Sequence, residues 1–250
     1  MMELRFTVTD FAARACGLST ADQWRQAALD GTALDASAKN PKPSRVPMMA
    51  ARRLSQGCRL AVDAGLELAS RSKPDAVIYS SRSGELEHNL RILDAVDSGN
   101  PCSPTDFSMS VHNCAVGNFT ILSHLKIPAF SASSGPDTFL EALAQACSLL
   151  LDGCSRVLLV DFDSAIPEFF ATYADPAMPL WPYAAGFMIE SGNRIEVSED
   201  GINGTQPSMP ESLSFLLGLI KGSPFEINGF SHCAKVSGRI GSMDWSSGAA

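Results

Sequence analysis

An α/β fold, a layered mixed sheet with helices on both faces, is what this sequence predicts, and three observations predict it. Residues 76–80 (AVIYS) and 156–161 (RVLLVD) are short, almost continuously apolar runs, the pattern of strands buried on both sides. Apolar residues recur at helical spacing in Val111, Ala115, Phe119, Leu122 and Leu125, and again in Phe139, Ala142, Leu143, Ala146 and Leu150. Strand, helix and strand therefore repeat as in βαβ units.

The elements follow in order. Leu4, Phe6 and Val8 alternate with Arg5 and Thr7, a half-buried strand that leads into Asp10 and a short helical segment. Ser19, Thr20, Ala21 and Asp22 can cap a helix running through Trp24 to Leu29. Residues 32–47 shift to Ala, Ser, Lys and Pro, a surface loop. A long helix follows, with Leu54, Cys58, Ala61, Gly65 and Leu68 on one face and Arg52, Arg53, Arg59 and Glu67 toward water. After Pro74 and the strand at 76–80, residues 81–85 turn into a helix carrying Leu86, Leu90 and Leu93, on pattern alone a core-facing amphipathic helix.

From Ser103 the chain reads as a loop, then a helix rich in small residues, then a short strand. Pro128 and the alternation of Ala129, Phe130, Ser131 and Ala132 favour that strand over a third helix. Ser133, Ser134, Gly135, Pro136 and Asp137 make a tight turn into the second helix, which Gly153 can end. After the strand at 156–161, residues 169–182 read as an ordered loop, 184–189 as another apolar strand and 194–197 as an edge strand beside it. Leu213, Leu216, Leu217 and Ile220 predict a last short helix, and residues 238–250 a Gly- and Ser-rich, partly loose end.

Composition bounds the function. With 250 residues, 45% of them hydrophobic, the chain can build one sizeable domain or two small ones; the pattern is read as a single domain over 1–250. A net charge of -8 leaves no basic cluster to neutralise phosphates, which argues against nucleic acid or an anionic membrane as partner. For the same reason an acidic carrier protein would not find its main dock here. Seven scattered cysteines suggest reduced thiols and a cytoplasmic protein, and no C-x-x-C or Cys/His cluster has metal spacing. Neither a signal peptide nor a membrane span is visible, and no cofactor is expected.

A strand that runs through a sharp turn into a helix is the geometry of a nucleophile elbow. Here the turn holds neither a cysteine nor a G-x-S-x-G pattern. Ser133 or Ser134 could pair with His112, but no acid is evident to orient the imidazole, and Ser-Ser-Gly-Pro is also ordinary turn chemistry. Cys114 and Cys147 sit at apolar helix positions, where a thiol acts as a small hydrophobe. Asp137 fits either a charge in the pocket under the turn or an acidic residue at a helix start. His88, His112, His124 and His232 read as structural or surface residues.

Ser103, Pro104, Asn113, Gly117, Thr120, Ile121 and Pro128 together resemble the segment that leads to the active-site cysteine in the β-ketoacyl-acyl-carrier-protein synthases of the thiolase superfamily. The resemblance is gapless, places Pro136 where that cysteine stands, and covers about residues 1–190, leaving 191–250 as a divergent extension. It implies a thiolase-like fold, the N-terminal half of a ketosynthase, without the nucleophile or the catalytic histidines. Within the superfamily, the chain is similar to chain-length factors, and Ser110 to Asn113 and the turn are most like the half-size group accompanying aryl polyene synthases. That likeness implies a non-catalytic subunit that heterodimerises with an active synthase and meets acyl carrier protein only through it. It further implies an interface at Asn113, Gly117, Ala129, Phe130, Ser131, Ala132, Ser133 and Ser134, because the strand before the elbow pairs across the dimer in these proteins. Leu86, Leu90 and Leu93 are the expected tunnel residues. The alternatives are a serine-dependent acyltransferase or thioesterase acting on an acyl carrier protein, and a subunit that only stabilises a synthase.

Overall fold

The computed structural model describes residues 3–31, 34–174, 181–199, 209–228 and 233–240. Parallel pairing joins β3 (Ala129–Ala132), β2 (Ala76–Ser80) and β4 (Arg156–Asp163), and β5 (Tyr183–Glu199) then runs antiparallel to β4. On the other side of β5 lies β1 (Glu3–Arg14). Beyond Gly192, β5 also pairs with β7 (Cys233–Gly238), which carries β6 (Phe225–Asn228). The sheet is therefore mixed, as expected, and residues 191–238 contribute strands to it.

Side-chain alternation divides the core into two layers. Ala76, Ile78, Val157, Leu159, Ala185 and Phe187 point to α1 (Ala21–Asp30), α7 (Thr138–Leu151) and α9 (Glu211–Lys221), where Trp24, Phe139 and Phe215 fill the space. Val77, Tyr79, Leu158, Val160 and Phe162 face α3 (Gln56–Arg71) and α6 (Cys114–Ser123), which bring Cys58, Leu68 and Phe119. Strands covered on both faces need no polar alternation, which is why β2 and β4 read as continuous apolar runs.

Local signals explain most boundaries. Thr20 and Gln23 form a capping box at the start of α1, and Ser55 Oγ accepts from Cys58 N to cap α3. Gly153, at φ +103, lets the chain leave α7 for β4. The remaining α-helices among the described residues are α4 (Leu86–Asp97, three turns) and three short ones, α2 (Met48–Ala51), α5 (Pro104–Met109) and α8 (Glu168–Ala171).

The structure corrects several local expectations. Asp10 does not lead into a helix: β1 continues to Arg14, pairing with β5 throughout, and Phe11 to Arg14 are all buried. A register shift between Val8 and Asp10 broke the alternation that sequence reading depends on. Residues 194–197 are not a separate edge strand but the far half of β5, held between β1 and β7. The segment after Ser103 is helical because Ser103 caps α5 and Pro104 sits at its first position. Arg52 and Arg53 lie after α2, outside the long helix. The predicted loop at 169–182 begins with the end of α8, and its residues 175–180 lie outside the described residues, as do His232 and residues 241–250.

Charged residues bridge β1 to α3. Arg14 donates to Asp63 at 3.1 and 3.2 Å and to Glu67, and Arg71 reaches Asp10 at 3.0 Å and also Glu67. Burial raises the Asp10 pKa, partly offset by Arg71. No helix among the described residues is long and apolar enough to cross a membrane.

Candidate functional site

The site is the turn after β3, and its geometry starts from the strand. β3 is the end strand of its side of the sheet, pairing only with β2 among the described residues. Val77 N donates to Pro128 O and Ser81 N to Ala132 O, so by strand periodicity Ala129 and Ser131 aim their own N–H and C=O groups outward. Ser131 Oγ donates to His112 O at 2.9 Å, tying the strand to the start of α6. Ala129, Ser131, Ser133 and Ser134 are exposed, while Phe130 and Ala132 are half-buried against the core.

Gly135, Pro136 and Asp137 then form a single 3-10 turn that feeds α7. Thr138 Oγ1 accepts from Ser134 N at 2.9 Å and donates to Gly135 O at 2.7 Å, so the turn is closed by its own polar groups. Pro136 is half-buried at the centre. Among the described residues no hydrogen bond joins the Ser133 or Ser134 hydroxyl to a histidine. The His112 ring instead lies over Gly84, where a Cβ would come within 2.8 Å of it.

Beneath the turn lies an acidic group that sequence reading missed, apart from Asp137. Asp161 accepts from Ser80 Oγ at 2.7 Å, Ser212 Oγ at 2.6 Å and Tyr183 OH at 3.2 Å. Asp163 accepts from Ser81 Oγ and the Ser83 N–H at 2.7 and 2.8 Å. Burial pushes the Asp161 carboxyl up to about 7, against the pull of these donors, and raises Asp163 as well. Glu211, at the start of α9, is raised first by burial and then by the charges of Asp137 and Asp161. The N–H groups of Phe139 and Leu140 at the start of α7 partly offset that rise. Glu211 links this group to Asp137 and the start of α7. The group offers acids and hydroxyls, and burial raises the Cys147 thiol of α7 to about 11.

Beside β3 the surface is apolar. Leu86 and Leu90 of α4 are half-buried and Leu93 is exposed, near the core-facing expectation only for the first two. Val96, Phe107, Val111 and Ile121 are exposed on α4, on α5 and on α6 with the residues before it. α4 and α5 are clipped together by Asp106, which accepts from Arg91 at 2.9 Å and meets His88 Nδ1 at 2.9 Å; those bonds, His88 first, lower its pKa. Asn113 is exposed at the start of α6, and a Cβ on Gly117 would meet nothing within 4 Å. The structure thus brings Asn113, Gly117, β3 and the turn onto one side of the sheet, with the three leucines on the neighbouring helix.

Comparison with known proteins gives this geometry a context. The family described as "Beta-ketoacyl synthase, N-terminal domain" matches residues 22–215, beyond the point where the motif resemblance fades. No curated protein matches. A chain of the ketosynthase (ApeO) in complex with its chain length factor (ApeC) from Xenorhabdus doucetiae is 39% identical with a TM-score of 0.90, over 94% of this chain and 99% of that one. At 11% identity, a chain of the AntDE:AntF complex, a type II polyketide acyl-carrier protein with its ketosynthase bound to the hexaketide, has a TM-score of 0.72 over 95% of this chain and 100% of that one. The ishigamide ketosynthase/chain length factor, 16% identical, reaches 0.63 over 79% and 67%. The last two share the fold, and the first is similar in sequence along nearly the whole chain.

Proposed function

This chain belongs to the family of the β-ketoacyl synthase N-terminal domain, and from that premise we propose that it is a non-catalytic, chain-length-factor-like subunit pairing with an active β-ketoacyl synthase. The observation that carries the reading is Pro136. Acyl transfer needs a thiolate or an activated hydroxyl at the elbow, and this turn presents a proline ring after two serines that, among the described residues, no histidine engages. The partner supplies the Cys-His-His chemistry and the dock for acyl carrier protein, which reaches this chain only through it.

Pairing runs through β3. An outward row of backbone groups beside exposed apolar helices is a surface that natural proteins cover, and a matching strand from a synthase would cover it. Asn113, Gly117 and residues 129–134 form that interface. Leu86, Leu90 and Leu93 line or close the tunnel for a growing polyene or polyketide chain, and the likeness to the Xenorhabdus doucetiae complex supports this division of labour.

Co-expression with a synthase from the same source, followed by size-exclusion chromatography with mass determination, tests the proposal. A stable one-to-one complex is the expected result. A soluble monomer or homodimer that binds no synthase would sink it.

A further inference from the structure

Three helix starts converge in the layer behind β2. Cys58 lies in the first turn of α3, Glu85 is the N-cap of α4, and Cys114 is the first residue of α6. Their ligand atoms, two Sγ and a carboxylate oxygen, all lie within 4.8 Å of one another, and all three side chains are buried. Glu85 is only 2% exposed, yet neither of its oxygens completes a hydrogen bond. A carboxylate left in that state is costly, and each unpartnered buried group in a native fold calls for an explanation.

The neighbours have the same character. His88, one turn further along α4, is held through Nδ1 by Asp106, while its buried Nε2 has no partner. A carboxylate on one ring nitrogen with the other free is the arrangement around metal-bound histidines. Asn118 Nδ2 donates to Cys114 O at 2.8 Å and also lies 3.6 Å from Cys114 Sγ.

We propose that Cys58, Glu85 and Cys114 bind a zinc ion, with His88 or a water in the fourth position. Tetrahedral zinc with two thiolates sets the sulfurs ~3.8 Å apart, so a contraction of at most about 1 Å from the observed spread completes the site. Two thiolates and one carboxylate around a divalent cation leave one net negative charge. Three helix N-termini are suited to hold it. Ligation by thiols releases their protons. The ion would staple α3, α4 and α6 at their starts, fixing the helix that carries Leu86, Leu90 and Leu93. Nothing in this inference depends on the synthase partner.

The test uses the full 250-residue chain purified without chelator. Elemental analysis should find about one zinc per chain. Replacement by Co2+ should give a thiolate-to-cobalt charge-transfer band that disappears in Cys58→Ser and Cys114→Ser and persists in Cys102→Ser, whose cysteine is exposed. To separate metal loss from misfolding of a cysteine variant, Glu85→Gln, nearly isosteric, is titrated with Zn2+ against a chromophoric chelator and should bind at least roughly tenfold more weakly. A chain without zinc and without the cobalt band, a Cys58–Cys114 disulfide in mass spectrometry, or unchanged zinc affinity in Glu85→Gln would each overturn the assignment.

Discussion

Asp161 shows how one side chain couples the turn to pH. Its folded pKa of about 7 stands above the ordinary carboxylate range, so the folded chain binds its proton more tightly than the unfolded chain does. The stabilisation is complete below pH ~4 and is lost as the pH rises to about 7. For a shift of this size the difference is on the order of a few kcal/mol. Asp161→Asn cannot ionise, so its urea-unfolding midpoint should fall less between pH 5 and pH 8 than that of the parent chain; equal falls would show that Asp161 does not titrate in that range. Gly57 makes the opposite point, that a missing atom can matter. A Cβ there would lie within 2.6 Å of Ser164 N and closer still to the Asp163 carbonyl, both backbone that a side-chain rotation does not relieve. Gly57→Ala should cost about 1–3 kcal/mol in chemical denaturation by pushing α3 off the end of β4.

Among the elements, β3 and α4 carry the functional predictions. Ser131→Pro removes one outward N–H while leaving the bonds to β2 in place, because proline is tolerated at a strand edge. It should weaken a synthase complex at least roughly tenfold by titration, with the circular dichroism of this chain unchanged. Leu90→Trp in a reconstituted complex should shorten the product chain by mass spectrometry; unchanged products from an intact complex would remove α4 from the tunnel. These two elements also show how far sequence reading extends. β2, β3, α6 and α7 were legible because apolar period, proline and glycine agreed there. The full length of β1 and the continuity of β5 were not, since a register shift in one and Ser191-Gly192-Asn193 in the other interrupt the alternation, and only pairing with partners distant in sequence keeps them extended. At the site, Pro136 and the serines were legible as a local string. The Asp161, Asp163, Tyr183 and Ser212 cluster and the Cys58, Glu85 and Cys114 convergence were not, because their members come from separate elements whose proximity only the sheet order creates.

At the scale of the molecule, β5 is the spine. Ala184 to Ile189 are bonded to β1 on one side and β4 on the other, and Ile195 to Ser198 to β1 and β7. Amides of residues 184–189 should exchange with deuterium more slowly than those of β3, whose outer groups face solvent; equal protection would contradict this arrangement. The same spine sets a timetable for synthesis. β1 is made about 170 residues ahead of its partner strand, so this hydrophobic strand travels unpaired until β5 follows. A pause in translation before residue 183 therefore prolongs the time that β1 stays exposed.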